Sequence, residues 1–274
     1  MGRWARRILK TLLAFAIVGY LAICIFMYVK QGEMIFHPTD DGERILALAA
    51  APENEAFDLD RDGVILRGVL LLAPGEGPAP VLIYFGGNAD SVSSKVEVFA
   101  YLRERGVHLL LVPYRGYDAS GGEPTADDLR TDALAIYDKL TLHPRVDRGS
   151  IYTMGYSLGS GVATYLAHER ELAGVILAAP YRRLSEIAAN GYPWLPVETL
   201  IQHEFDSLSL APEVEEPLLI VHGDADTLIP IAHGESLASV WKGGAKLVRL
   251  DGLGHHGVPS HAAVPGAIRE FMGL

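Results

Sequence analysis

The pentapeptide Gly155-Tyr156-Ser157-Leu158-Gly159 sets a serine between two glycines, with an apolar β-rich run before it and a helical pattern after it. A strand that turns at once into a helix holds the residue at the bend in a strained backbone, and a Cβ at 155 or 159 would collide with neighbouring chain. Such a bend presents a hydroxyl outward, where it can attack a carbonyl. A serine hydroxyl is a weak nucleophile, so it needs a base, and the base needs an acid to orient it. Two later stretches carry those residue types: His222-Gly223-Asp224-Ala225-Asp226-Thr227-Leu228-Ile229-Pro230 and Gly252-Leu253-Gly254-His255-His256. Each follows an apolar β-rich run, and the chain order is serine, acid, histidine. Together they would perform acyl transfer through Ser157, with Asp224 and Asp226 rivals for the acid and His255 and His256 rivals for the base.

Bringing three such groups to one place requires strands that end together. Apolar β-rich runs cover 64–72, 81–85, 107–112, 150–155, 174–179, 217–221 and 246–250, and helical patterns fall near 92–105, 127–142, 159–170, 231–240 and 264–272. The alternation predicts an α/β fold, a mostly parallel central sheet with helices on both faces. The opening strand, near 63–72, is expected to be antiparallel. In open sheets of this kind ligands sit beyond the carboxyl ends of the strands. Residues 180–216 separate two of the strands and are expected to form a short lid insert, too short for a full cap domain. Its Tyr181, Tyr192, Trp194 and Phe205 either wall an apolar acyl site or pack the insert down.

The formal net charge of −11 hides an asymmetry. Arg3, Arg6, Arg7, Lys10 and Lys30 lie in the first thirty residues with no acid among them; taking these five from the 23 basic residues leaves 18 against 34 acids, a balance of −16 for the rest. So acidic a body is a poor binder of nucleic-acid phosphates. Residues 11–29 carry no charge and, as a helix, span about 28 Å, close to the thickness of a bilayer core. Basic residues ahead of the run fit an N-terminus that stays in the cytosol. A cleavable signal peptide has the same layout, but here the apolar run continues through Ile25, Phe26, Met27 and Tyr28 with no small-residue pair at its end, which favours a retained anchor. Leu21-Ala22-Ile23-Cys24 is a poor lipidation site, and the lone Cys24 excludes an intramolecular disulfide. The expected organisation is a cytosolic basic tip and transmembrane anchor over 1–30, then a catalytic domain over 31–274 carrying the insert 180–216.

The stretch 222–230 matches H-G-x-x-D-x-x-I-P, and 252–255 matches G-x-G-H. With the serine elbow, these make the sequence resemble the α/β-hydrolase superfamily of serine hydrolases. The resemblance implies Asp226 rather than Asp224, and His255 rather than His256, as the partners of Ser157. Met34-Ile35-Phe36-His37-Pro38, Tyr114-Arg115-Gly116-Tyr117 with Ser120-Gly121, and Tyr192-Pro193-Trp194-Leu195-Pro196 are similar to stretches of the single-anchor hydrolases of the bud-emergence type, which include protein-depalmitoylating thioesterases. That likeness covers nearly the whole chain. It implies an oxyanion hole made by the backbone N–H groups of Leu158, next to the nucleophile, and of Asn88 in Gly86-Gly87-Asn88, where the family commonly has His-Gly-Asn. Asp90 stands where glycine is usual, and its charge at the mouth is expected to disfavour anionic substrates. Arg115 and Glu123-Pro124 are expected to secure the loop after the third parallel strand, and His222 to serve packing or turn hydrogen bonds.

These features lead to one expectation: a membrane-anchored serine hydrolase of carboxylic esters or thioesters, needing no metal or organic cofactor. It would act on a small-molecule or lipid-like acyl substrate, with its catalytic domain extracytoplasmic (periplasmic if bacterial). A serine peptidase using the same three residues, and a catalytically silent hydrolase fold that binds a partner or lipid at the membrane, are the rival readings.

Overall fold

The computed structural model describes residues 2–274. A single long helix, α1 (Arg3–Ile35), opens the chain, followed by α2 (Gly42–Ala50) and a hairpin of β1 (Asn54–Arg61) and β2 (Val64–Leu71). Asp62 and Gly63 form the hairpin's two-residue turn with φ of +56° and +85°, the left-handed pair that matches the twist of the flanking strands. Next come β3 (Ala79–Phe85), two short helical turns α3 (Lys95–Val98) and α4 (Ala100–Arg103), β4 (His108–Leu111), α5 (Ala126–Leu140), β5 (Val146–Tyr156), α6 (Leu158–Glu169) and β6 (Gly174–Ala178). The insert carries α7 (Leu184–Gly191), α8 (Val197–Leu200) and α9 (Ser207–Leu210). The chain closes with β7 (Leu218–Gly223), α10 (Ala232–Val240), β8 (Ala245–Leu250) and α11 (Val264–Met272).

The strands make one sheet of 8 in the order β1-β2-β4-β3-β5-β6-β7-β8. β2 is antiparallel to β1 and to β4, and every pairing from β4 to β8 is parallel. The fold is therefore the α/β arrangement expected, with β1 as an additional edge strand. The central strands are apolar on both faces because both are covered. In β3, Val81, Ile83 and Phe85 face a core shared with Leu129 and Ile136 of α5 and Val162 and Leu166 of α6. Leu82 and Tyr84 face a second core with Ile45 of α2, Leu102 of α4 and Ile268 of α11. Burial of each such side chain contributes about 1.5–3 kcal/mol.

Local chemistry sets the helix boundaries. At α5 the Thr125 hydroxyl caps the N-terminus by accepting the Asp128 N–H (3.1 Å), and Asp127 and Asp128 in the first turn favour the positive helix end. The single helix expected over 92–105 is instead broken at Phe99, whose backbone leaves helical geometry (φ −107°, ψ 12°) where its buried ring packs on Tyr84 at 5.4 Å. α1 runs past residue 30 to Ile35, and its last turns lie against the insert. Gln31, buried there, donates through Nε2 to the Tyr28 and Leu200 carbonyls (2.9 and 3.0 Å) and accepts the Gln202 N–H on Oε1 (2.7 Å).

Candidate active site

Ser157 stands between the last residue of β5 and the first of α6, with φ +50° and ψ −115°. A β-carbon on Gly155 would run into the Gly159 carbonyl, and one on Gly159 into the Phe85 carbonyl, so both positions accept only glycine. The Ser157 N–H is tied to the Ala178 carbonyl of β6 (3.0 Å), which fixes the bend against the neighbouring strand.

The ends of β7 and β8 deliver the partners. His255 Nε2 lies 2.9 Å from Ser157 Oγ, and His255 Nδ1 lies 2.7 Å from Asp226 Oδ2. The other Asp226 oxygen accepts the N–H groups of Leu228 (2.9 Å) and Ile229 (2.8 Å). Burial pushes the Asp226 carboxyl up, but the hydrogen bonds from His222, His255 and the Ile229 N–H outweigh it and hold it well below the usual carboxylate range. With an ionised Asp226 against Nδ1, the arrangement is suited to hold an imidazole proton there and to leave Nε2 facing the Ser157 hydroxyl.

The rivals fall elsewhere. Asp224 accepts the Gly252 N–H (2.7 Å) and serves the turn, while His256 is exposed and meets His255 edge-on at 5.6 Å. His222 is buried, approaches the Ile229 carbonyl through Nε2 (2.8 Å) and stands 3.5 Å from Asp226 Oδ2, so it closes the acid loop besides packing. Tyr156 stacks on the His255 ring (5.6 Å between centroids, 25° between planes) and donates its hydroxyl to the His255 carbonyl (3.1 Å). Burial raises that phenol to about 12, so it keeps its proton at neutral pH. Sequence reasoning passed over Tyr156, although it directly precedes the elbow serine.

Beside the serine, Leu158 begins α6, and its N–H lacks an intrahelical carbonyl to bond. Asn88 lies in the turn after β3 and lines the same cavity of about 360 Å³ as Ser157, Leu228 and His255. Its carboxamide is engaged elsewhere: Oδ1 accepts the His37 N–H (2.8 Å) and the Tyr117 hydroxyl (3.3 Å), and the amide nitrogen lies 3.3 Å from His37 Nδ1.

Asp90 does not stand at the cavity as a lone charge. Its carboxylate pairs with Lys95 Nζ at 2.5 Å and accepts the Tyr84 hydroxyl at 2.6 Å, and both partners of the ion pair are largely buried. Lys95, which offsets the Asp90 charge, also lines the cavity, and no spacing rule in the sequence singles it out. Arg115 secures its loop through Asp132 (2.7 Å) and Asp128 (2.9 Å). In the insert, Tyr181 and Phe205 are buried against Gly161 of α6, while Tyr192 and Trp194 are exposed.

The sheet order, the glycine-flanked serine at its centre and the acid and histidine on later strands define an α/β hydrolase, and the chain belongs to the α/β-hydrolase superfamily. The family model for the alpha/beta hydrolase fold matches residues 80–208. An uncharacterized protein of Mycobacterium tuberculosis is 30% identical over 268 residues, covering 96% of this chain and 95% of that one. The lysophosphatidylserine lipase ABHD12 of Danio rerio is 28% identical over 178 residues, covering 58% of this chain and 46% of the lipase, so the likeness spans about half of that protein. Among solved structures, Est1E from Butyrivibrio proteoclasticus with bound ferulic acid superposes with a TM-score of 0.67 at 25% identity, over 79% of this chain and 98% of that one.

Proposed function

We propose that the chain is a membrane-anchored serine hydrolase that cleaves carboxylic esters or thioesters through an acyl-enzyme on Ser157. The observation that carries this reading is the hydrogen-bonded line from Asp226 through His255 to the Ser157 hydroxyl, 2.7 and 2.9 Å long, ending on a strained elbow. His255 takes the serine proton as Oγ attacks the acyl carbon, and the ionised Asp226 stabilises the imidazolium that forms. The backbone N–H groups of Leu158 and Asn88 receive the charge that develops on the carbonyl oxygen; one such donor is worth roughly 10²–10³ in kcat. His255 returns its proton to the leaving group. It then activates water, which attacks the acyl carbon and restores the serine.

Relatives bearing the name of lysophosphatidylserine lipase, and a structural neighbour holding ferulic acid, favour a carboxylic ester as the bond cleaved. The anchor reading rests on α1, which is long and apolar enough to cross a bilayer and exposes its apolar side chains along 11–29. The basic residues before it favour a cytosolic N-terminus and an extracytoplasmic catalytic domain. The experiment is hydrolysis of p-nitrophenyl esters from acetyl to palmitoyl by the full chain in detergent, beside Ser157→Ala. Turnover of at least one ester that vanishes in the variant is expected. A folded wild type no faster than Ser157→Ala on every ester, and on the matching thioesters, would contradict the reading and favour a silent binder.

A further inference from the structure

Trp194, at the tip of the insert, accepts a hydrogen bond on its carbonyl from the Tyr20 hydroxyl (3.1 Å), across 174 residues of sequence. Tyr20 lies in the middle of the uncharged run 11–29, ten residues before Lys30. Ten helical residues are about 15 Å, half of a hydrocarbon core of about 30 Å. Gln31 meanwhile holds Leu200 and Gln202 of the insert at the charged end of the helix. The insert therefore descends along α1 from the Gln31 level to the Tyr20 level. If α1 spans a bilayer, the tip cannot remain in water.

We infer that residues 192–197 insert into the membrane leaflet on the catalytic-domain side, making a second, lipid-facing contact beside the anchor. The inference rests on the anchor reading given above. The composition fits: Tyr192-Pro193-Trp194-Leu195-Pro196-Val197 carries no charge, and Tyr192 and Trp194 are exposed in the fold. Backbone in lipid must find its hydrogen bonds within the protein. Pro193 and Pro196 have no N–H; of the four N–H groups in the stretch, those of Tyr192, Leu195 and Val197 donate to the Ala188, Tyr192 and Leu195 carbonyls (3.0, 3.0 and 2.9 Å), which leaves only that of Trp194 without a backbone partner among the described residues. A tyrosine hydroxyl at mid-bilayer needs a partner equally. Tyr20 and the Trp194 carbonyl satisfy each other.

Between the helix and the insert runs a groove lined by Met27, Met34, Tyr192, Leu195 and Leu200, with Gln31 and the Tyr192 hydroxyl its polar groups. Glu198, exposed and just past the apolar stretch, marks where the inserted part ends.

The test uses full-length protein in vesicles of phosphatidylcholine and phosphatidylglycerol, with Trp4→Phe and Trp241→Phe leaving Trp194 as the one tryptophan. Trp241 is buried and donates to the Glu216 carbonyl (2.7 Å); if its replacement unfolds the protein, the Trp194 signal is taken as the difference between Trp4→Phe and the Trp4→Phe, Trp194→Phe double variant. The protein is first floated with the vesicles after an alkaline carbonate wash. Trp194 is expected to lose most of its emission in vesicles of acyl-brominated phosphatidylcholine and almost none to aqueous iodide. Flotation with iodide quenching and no bromine quenching would overturn the inference and leave the anchor standing. Failure to float would overturn both.

Discussion

Ser157 keeps a φ of +50° because the chain on both sides leaves it no alternative: flanking glycines touch carbonyl oxygens, and its own N–H is bonded to β6. Strain of this kind costs on the order of 1–3 kcal/mol and persists only where the surroundings over-determine it. Asp226 is held by the same kind of over-determination, through two backbone N–H groups and His255. Asp226→Asn is expected to lower kcat roughly 10⁴-fold, because an amide no longer fixes the tautomer that leaves Nε2 free. The same variant provides a stability test. A carboxyl held below its ordinary value contributes stability above the unfolded value, near about 4, and loses it as pH falls through the folded value. The Tm of the wild type should exceed that of Asp226→Asn at neutral pH, and the gap should close below about pH 4. A gap that widens on acidification would contradict the account of Asp226.

The elements that carry the site are positioned by a few buried polar contacts as well as by the sheet. Arg115 bridges the loop after β4 to α5, reaching Asp132 with two nitrogens (2.7 and 2.8 Å) and Asp128 with a third (2.9 Å). Arg115→Ala leaves the buried Asp132 carboxylate only its longer contact to Arg61 (3.2 Å), and should cost about 1–3 kcal/mol in denaturant unfolding. Arg115→Lys should fall between, since one ammonium cannot reproduce the fork; equal stability of all three would remove this contact from the account. Strands β3 to β7 were legible in the sequence because burial on both faces leaves near-continuous apolar runs. β1 was not: Asn54–Arg61 carries only Phe57 and Leu59 as large apolar side chains among charges, as an edge strand does. The Asp62-Gly63 turn was the signal that could have found it. α2 escaped as a nine-residue helix fixed by one fully buried side chain, Ile45.

At the scale of the molecule, charge and hydropathy divide the chain near residue 30, while its contacts join the two parts again. α1 continues to Ile35, Gln31 binds the insert, and the His37 N–H reaches the Asn88 carboxamide beside the cavity. The positions of Ser157, Asp226 and His255 could be read because each hangs on the end of an apolar strand, and strands in a parallel sheet end together. Lys95 could not be read, since the tight 3₁₀ turn over Val92–Ser94 that returns it to Asp90 has no spacing signature. Nor could the Tyr20–Trp194 contact, which joins segments 174 residues apart through a surface that composition alone leaves blank.

The central claim is that Ser157 is the nucleophile, and covalent trapping tests it most directly. Full-length protein treated with a fluorophosphonate, digested and weighed by mass spectrometry should carry the phosphonyl mass on the peptide containing Ser157. Labelling should be absent in Ser157→Ala and strongly slowed in His255→Ala. A folded wild type that stays unmodified, or that carries the label on another serine, would contradict the account.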